Sequence, residues 1–131
     1  MSKNIGNTIY DRSINYYETD QMGIVHHSNY IRYFEEARLD MMEQVGLSYT
    51  AMEEHGLIIP VLSVACEYIK PVLFGEKVQI HTRLVKFDGI KMQFVYEIYC
   101  EGELRTKGES RHCFLDKEMK PVRMKRQFPE I

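Results

Sequence analysis

The sequence predicts an α+β fold, with one antiparallel sheet of about five strands wrapped around a single long helix. Three observations predict it. The element order is one strand, a helix, and then four strand-like segments joined largely by short turns. The last three of those segments read as successive hairpins, so they must be antiparallel. The helix is apolar over most of its girth and needs a cover that only those strands can supply.

Residues 8–17 (TIYDRSINYY) alternate imperfectly and end in aromatic residues, as a first strand does. Residues 18–23 break it. There Gly23 can take backbone angles closed to other residues, which suits a turn that approaches a ligand closely. The helix begins near His27 or Ser28, with Ser28 or Asn29 as its cap. Ile31, Phe34, Arg38, Met41, Met42 and Val45 recur at three- and four-residue steps, and Tyr30, Tyr33 and Ala37 widen that face. Glu35, Glu36, Asp40 and Glu43 mark the wetter side, the spacing of Glu35 and Arg38 allows an ion pair, and Gly46 is the stop. Thr50 and Glu53 have capping-box spacing for a short second helix that ends at Gly56.

Strands follow. Residues 57–69 (LIIPVLSVACEYI) are rich in β-branched side chains and are closed by Lys70-Pro71. Residues 72–76 are a loop or an edge. Residues 77–87 place Val78, Ile80, Thr82 and Leu84 on one face, and Asp88-Gly89 reads as a two-residue hairpin. Residues 90–100 place Met92, Phe94, Tyr96 and Ile98 on one face before Glu101-Gly102 turns the chain again. Residues 104–115 return with Leu104, Thr106, Ser110, His112 and Phe114 on one side, and Gly108 marks a bulge.

The 131 residues suit one domain spanning 1–131. An apolar content of 44% is enough for an ordinary core, and a formal charge of −2 points neither to nucleic acid nor to an anionic membrane. No apolar run reaches the ~18–20 residues that span a bilayer. The first residues, MSKNIGNTIYDRS, lack the apolar core of a signal peptide, so a cytoplasmic location is expected. Cys66, Cys100 and Cys113 are odd in number and far apart, which predicts reduced, mostly buried thiols and no disulfide framework or zinc knuckle.

The chemistry concentrates in residues 16–46, YYETDQMGIVHHSNYIRYFEEARLDMMEQVG. Asp20 sits in a polar, glycine-containing turn a few residues before a helix N-terminus. Free backbone N–H groups and the positive end of the helix dipole favour developing negative charge there. That juxtaposition can perform acyl transfer. The plainer role for such an aspartate is a cap or an Asx turn. Metal binding is not expected, because the adjacent His26 and His27 cannot easily face one ion.

Tyr17, Asp20, Gly23, Ile24, Val25, His27, Asn29, Tyr30, Phe34, Glu35, Ala37 and Arg38 stand at fixed offsets. They spell a tyrosine, an aspartate, a Gly-hydrophobic-Val step, His-x-Asn-Tyr and Phe-x-x-Ala-Arg. With the element order, this pattern resembles the hotdog fold, and more narrowly the acyl-CoA thioesterases of the hydroxybenzoyl-CoA thioesterase (YbgC-type) family. The resemblance covers nearly the whole chain. It departs at Gln21-Met22, where small residues are more usual.

The resemblance implies hydrolysis of an acyl-CoA to free acid and CoA, with no cofactor. Asp20 would be nucleophile or general base, and the His27 amide would donate to the carbonyl oxygen. Tyr17, Gly23, Val25 and Tyr30 would be substrate-binding. It also implies a homodimer or homotetramer with sites between subunits. Among the tail cations, Lys117, Lys120, Arg123, Lys125 and Arg126 are candidates for CoA phosphates, although such runs are usually only solvated. Two other readings remain: a thioesterase acting on acyl-carrier protein, and a non-catalytic hotdog module that binds acyl ligands.

Overall fold

The computed structural model describes residues 7–44, 46 and 48–122. Strand β1 (Asn7–Ser13) leads through a short 3₁₀ turn (Tyr16–Glu18) to helix α1 (Ser28–Gln44). A short helix α2 (Tyr49–Glu54) follows, and then β2 (Val61–Tyr68), β3 (Lys77–Phe87), β4 (Lys91–Cys100) and β5 (Glu103–Cys113). The strands form one sheet in the order β1-β3-β4-β5-β2, with every pairing antiparallel. The predicted α+β architecture is therefore present.

One face of α1 lies on the sheet. Tyr30, Tyr33, Phe34, Ala37, Met41 and Met42 are buried, and they meet a sheet face built from Val78, Ile80, Met92, Phe94, Tyr96 and Ile98. Phe34 stacks on Tyr96 with centroids 4.5 Å apart and planes 10° from parallel. Ile31, placed on the apolar face by its spacing, is instead exposed, so the helix is covered on one side rather than enclosed. Val45 lies outside the described residues, and Gly46 takes the left-handed angle (φ 83°) expected of a helix stop.

Local chemistry moves several boundaries. The first strand ends at Ser13 rather than Tyr17, because Ile14 turns inward and residues 16–18 wind into the 3₁₀ turn. Ser28 and Asn29 do not cap α1. The Ser28 amide donates to His26 Nδ1 (3.2 Å) and the Asn29 amide to the His26 carbonyl (2.9 Å), so His26 serves both. The cap of α2 is Ser48, whose hydroxyl accepts from the Ala51 amide, and not Thr50. The β3–β4 connection uses three residues, Asp88 to Ile90, because the Asp88 carboxylate accepts from both the Ile90 and Lys91 amides.

Gly108 is not a bulge. It pairs in unbroken register with Tyr96 on one side and Cys66 on the other. A Cβ placed on it would lie 2.3 Å from Phe34 Cε2, so the glycine exists to admit the helix's aromatic ring. Of the cysteines, all free, only Cys100 is buried; Cys66 and Cys113 are half-buried.

Candidate active site

Residues 18–26 form a small hairpin between the 3₁₀ turn and α1. Thr19 pairs with Val25, the Asp20 amide donates to the Ile24 carbonyl (2.8 Å), and the His26 amide donates to the Glu18 carbonyl (2.9 Å). Asp20 is one step beyond the Thr19–Val25 pair and His26 one step before it. Gly23 sits at the tip with φ +76°, an angle that L side chains rarely adopt.

The Asp20 carboxylate is exposed, and only one of its oxygens is engaged within the chain. Oδ1 accepts from the amides of Met22 (2.8 Å) and Ile24 (3.2 Å), while no hydrogen bond to Oδ2 occurs among the described residues. This is the Asx turn of the plainer reading, and it also fixes the direction of the free oxygen. His27 is exposed, and its N–H has no hydrogen-bond partner among the described residues. The His27 carbonyl accepts from the Tyr30 amide (3.2 Å), which makes His27 the residue that closes the first turn of α1. His26 stacks loosely against it, with ring centroids 4.3 Å apart.

The remaining residues with expected binding roles divide by exposure. Tyr17 is 81% exposed, and its hydroxyl accepts from the Asn15 side chain. Gly23 presents its carbonyl to the Phe74 amide (2.9 Å). Val25 is buried, its amide donating to the Val72 carbonyl (2.8 Å). Tyr30 is also buried, edge-on to Tyr33 and Tyr68, and burial raises the pKa of its hydroxyl above the ordinary value. The hairpin tip is flanked by the exposed side chains of Tyr16, Met22, Leu73 and Phe74, with Tyr16 edge-on to Phe74. Arg123, Lys125 and Arg126 lie outside the described residues, and Lys117 and Lys120 are exposed.

Two ion-pair groups hold the hairpin, and periodicity revealed neither. Below it, the Arg12 guanidinium bonds Glu18 (2.6 Å) and Glu36 (2.7 and 3.1 Å) and lies 4.4 Å from the centre of the Tyr33 ring. Burial opposes the charge on Glu18, but hydrogen bonds from Arg12 and the Asn15 amide outweigh it and hold its pKa below the ordinary range. Glu36, placed on the wet face by the helix pattern, is thus turned toward β1. Beside the hairpin, Arg105 grips Glu76 with two hydrogen bonds (2.9 and 3.2 Å) and the Pro71 carbonyl (2.8 Å), so the loop that pairs with Ile24 is fixed. Those bonds hold the Glu76 carboxyl below its ordinary range as well. The expected Glu35–Arg38 pair is long, at 4.0 Å. Among the described residues no group of three side chains could hold a metal ion, and no helix is long and apolar enough to cross a membrane.

Comparison with known proteins identifies the family. Residues 14–130 match the model of the thioesterase-like superfamily. The chain belongs to that family. A Bacillus subtilis protein named "Putative acyl-CoA thioesterase YneP" is 39% identical over 119 residues, covering 89% of this chain and 86% of its own. The solved DHNA-CoA thioesterase of Staphylococcus aureus superimposes with a TM-score of 0.90 at 37% identity, covering 95% of this chain and 85% of that one. A solved protein of Aquifex aeolicus gives 0.87 at 36% identity, covering 94% and 97%. The hotdog fold and the class of thioester hydrolase expected from the motif both stand.

Proposed function

We propose that this thioesterase-family protein hydrolyses the thioester of an acyl-CoA, releasing the free acid and CoA, with Asp20 as the reacting carboxylate and the His27 amide as oxyanion donor. One observation carries the reading: among the described residues the Asp20 carboxylate is held by one oxygen and free at the other, in the hairpin that leads directly to an N–H without a partner at the start of α1. The free oxygen can add to the thioester carbon, expelling CoA thiolate and leaving a mixed anhydride that water then cleaves. Alternatively, it takes a proton from a water that adds instead. In both routes negative charge grows on the carbonyl oxygen, where one well-placed N–H is worth ~10²–10³ in rate. The names of the B. subtilis and S. aureus relatives support a CoA thioester as the substrate.

The site is completed by a second copy of the chain, in a homodimer or homotetramer. Strand β2 supports this, since among the described strands it pairs with β5 alone, and it is exposed along almost its whole length. Tyr17, Gly23, Val25 and Tyr30 then form the near wall and floor of the acyl pocket.

The test is a panel of acyl-CoAs and matched acyl-carrier-protein thioesters assayed for thiol release, with Asp20→Asn alongside. The expected result is preference for CoA thioesters and a loss of at least about 10²-fold in kcat for the variant, with its circular dichroism unchanged. An Asp20→Asn protein within threefold of the parent rate removes Asp20 from the reaction. Higher specificity for the carrier-protein substrates replaces CoA with that carrier.

A further inference from the structure

We propose that Glu18 is a positioning residue for this reaction: its side chain anchors the hairpin to β1 and α1, while its carbonyl oxygen holds His26, whose carbonyl shares a peptide plane with the His27 N–H, and the side chain of Asn29, whose amide bonds that carbonyl. The inference rests on the proposed role of His27 and adds a residue that the family motif does not single out. Glu18 is only 5% exposed. Its Oε1 accepts three hydrogen bonds, from Arg12 Nη1 (2.6 Å), the Asn15 amide (2.9 Å) and the Tyr33 hydroxyl (3.1 Å). These donors come from β1, the 3₁₀ turn and α1, so the carboxylate joins all three elements.

The backbone of Glu18 does the rest. Its carbonyl oxygen accepts from the His26 amide and from Asn29 Nδ2, each at 2.9 Å. The Asn29 amide in turn donates to the His26 carbonyl at 2.9 Å. That carbonyl and the His27 N–H belong to one trans peptide unit, so they lie in one plane and point in opposite directions. Holding the carbonyl from the helix side therefore aims the N–H away from it. Thr19, the next residue, pairs with Val25 and is followed by Asp20, so the same anchor sets where the carboxylate stands. Glu36 provides the contrast. It meets Arg12 about as closely as Glu18 does, yet among the described residues it makes no hydrogen bond to the hairpin.

The experiment compares Glu18→Gln with Glu36→Gln in thiol release, at a temperature well below either unfolding midpoint. Hydrogen exchange at the His26 amide is followed in parallel. The expected result for Glu18→Gln is a fall in kcat of about tenfold or more, with KM within twofold and faster exchange at His26. Glu36→Gln keeps kcat within twofold, although it also takes a partner from Arg12. Equal effects of the two variants on kcat, or unchanged exchange in Glu18→Gln, overturn the proposal and leave Glu18 a fold-stabilising residue. Should Glu18→Gln fail to fold, Tyr33→Phe, which removes one donor to the same oxygen, is judged by the same criteria. Asp20→Asn in the same series keeps the two readings apart. An active Asp20→Asn defeats the proposed function, whereas an inactive one beside a fully active Glu18→Gln defeats only the positioning role.

Discussion

His112 has no access to water. Its Nε2 lies 2.8 Å from Ser110 Oγ, which is 2.6 Å from the Tyr96 hydroxyl. Burial, helped by the nearby Arg38 charge, pushes its pKa down from 6.5 to about 4. The sign follows from which state takes the proton first. As pH falls below 6.5 the unfolded chain binds it and the folded chain does not, so stability drops until about pH 4 and then levels off. Between pH 7 and pH 5 this one side chain should cost about 2 kcal/mol. Urea unfolding at the two pH values should show that loss in the parent and a clearly smaller one in His112→Gln. Glu18 and Glu76 act lower on the scale, because their pKa values are depressed. Their contribution is present above about pH 4.5 and is lost as pH falls through their folded values. The alternation of β5 placed His112 on the inner face beside Ser110, but nothing in the spacing announced the Tyr96 hydroxyl at the end of that chain of bonds. That contact depends on the register with the next strand.

At the scale of elements, the contact between α1 and the sheet depends on an absent methyl group. Gly108→Ala would drive a carbon into the Phe34 ring, which is already stacked on Tyr96. The substitution should cost about 3 kcal/mol in chemical denaturation. In a Phe34→Leu background the same change should cost about 1–2 kcal/mol less, because the colliding ring is gone. The helix, the four later strands and the inward faces of the last three were legible because periodicity reports burial. The ends were not. Caps and turns depend on single acceptors such as Ser48, Asp88 and the His26 ring, and several residues in each stretch carry suitable atoms. The candidate site shows the same division. Asp20, Gly23 and His27 were picked out as candidates by their motif, whereas the Arg12–Glu18–Glu36 group was invisible because its members are far apart in sequence and Glu36 sits at a polar position of the helix pattern.

At the scale of the whole molecule, β2 is the edge strand that the described chain leaves most exposed. Val61, Leu62, Val64 and Tyr68 are all more than 40% exposed on a strand with one free edge, an arrangement that natural proteins ordinarily cover or charge. With both Leu62 and Val64 changed to Lys, sedimentation should show a shift to the monomer, and thiol release should fall with it. A parent protein that sediments as a monomer at working concentration would remove the second copy from the site. The strand order has another consequence, for synthesis. Helix α1 is made before every strand of the central meander that hides it, and roughly seventy residues separate Gln44 from Cys113. At ribosomal speeds of about 5–20 residues per second, the aromatic side of the helix waits about 3–14 s for its cover. The nascent chain therefore offers Tyr33, Phe34 and Met41 to chaperones, or to a neighbouring chain on the same messenger, well before it can fold on them.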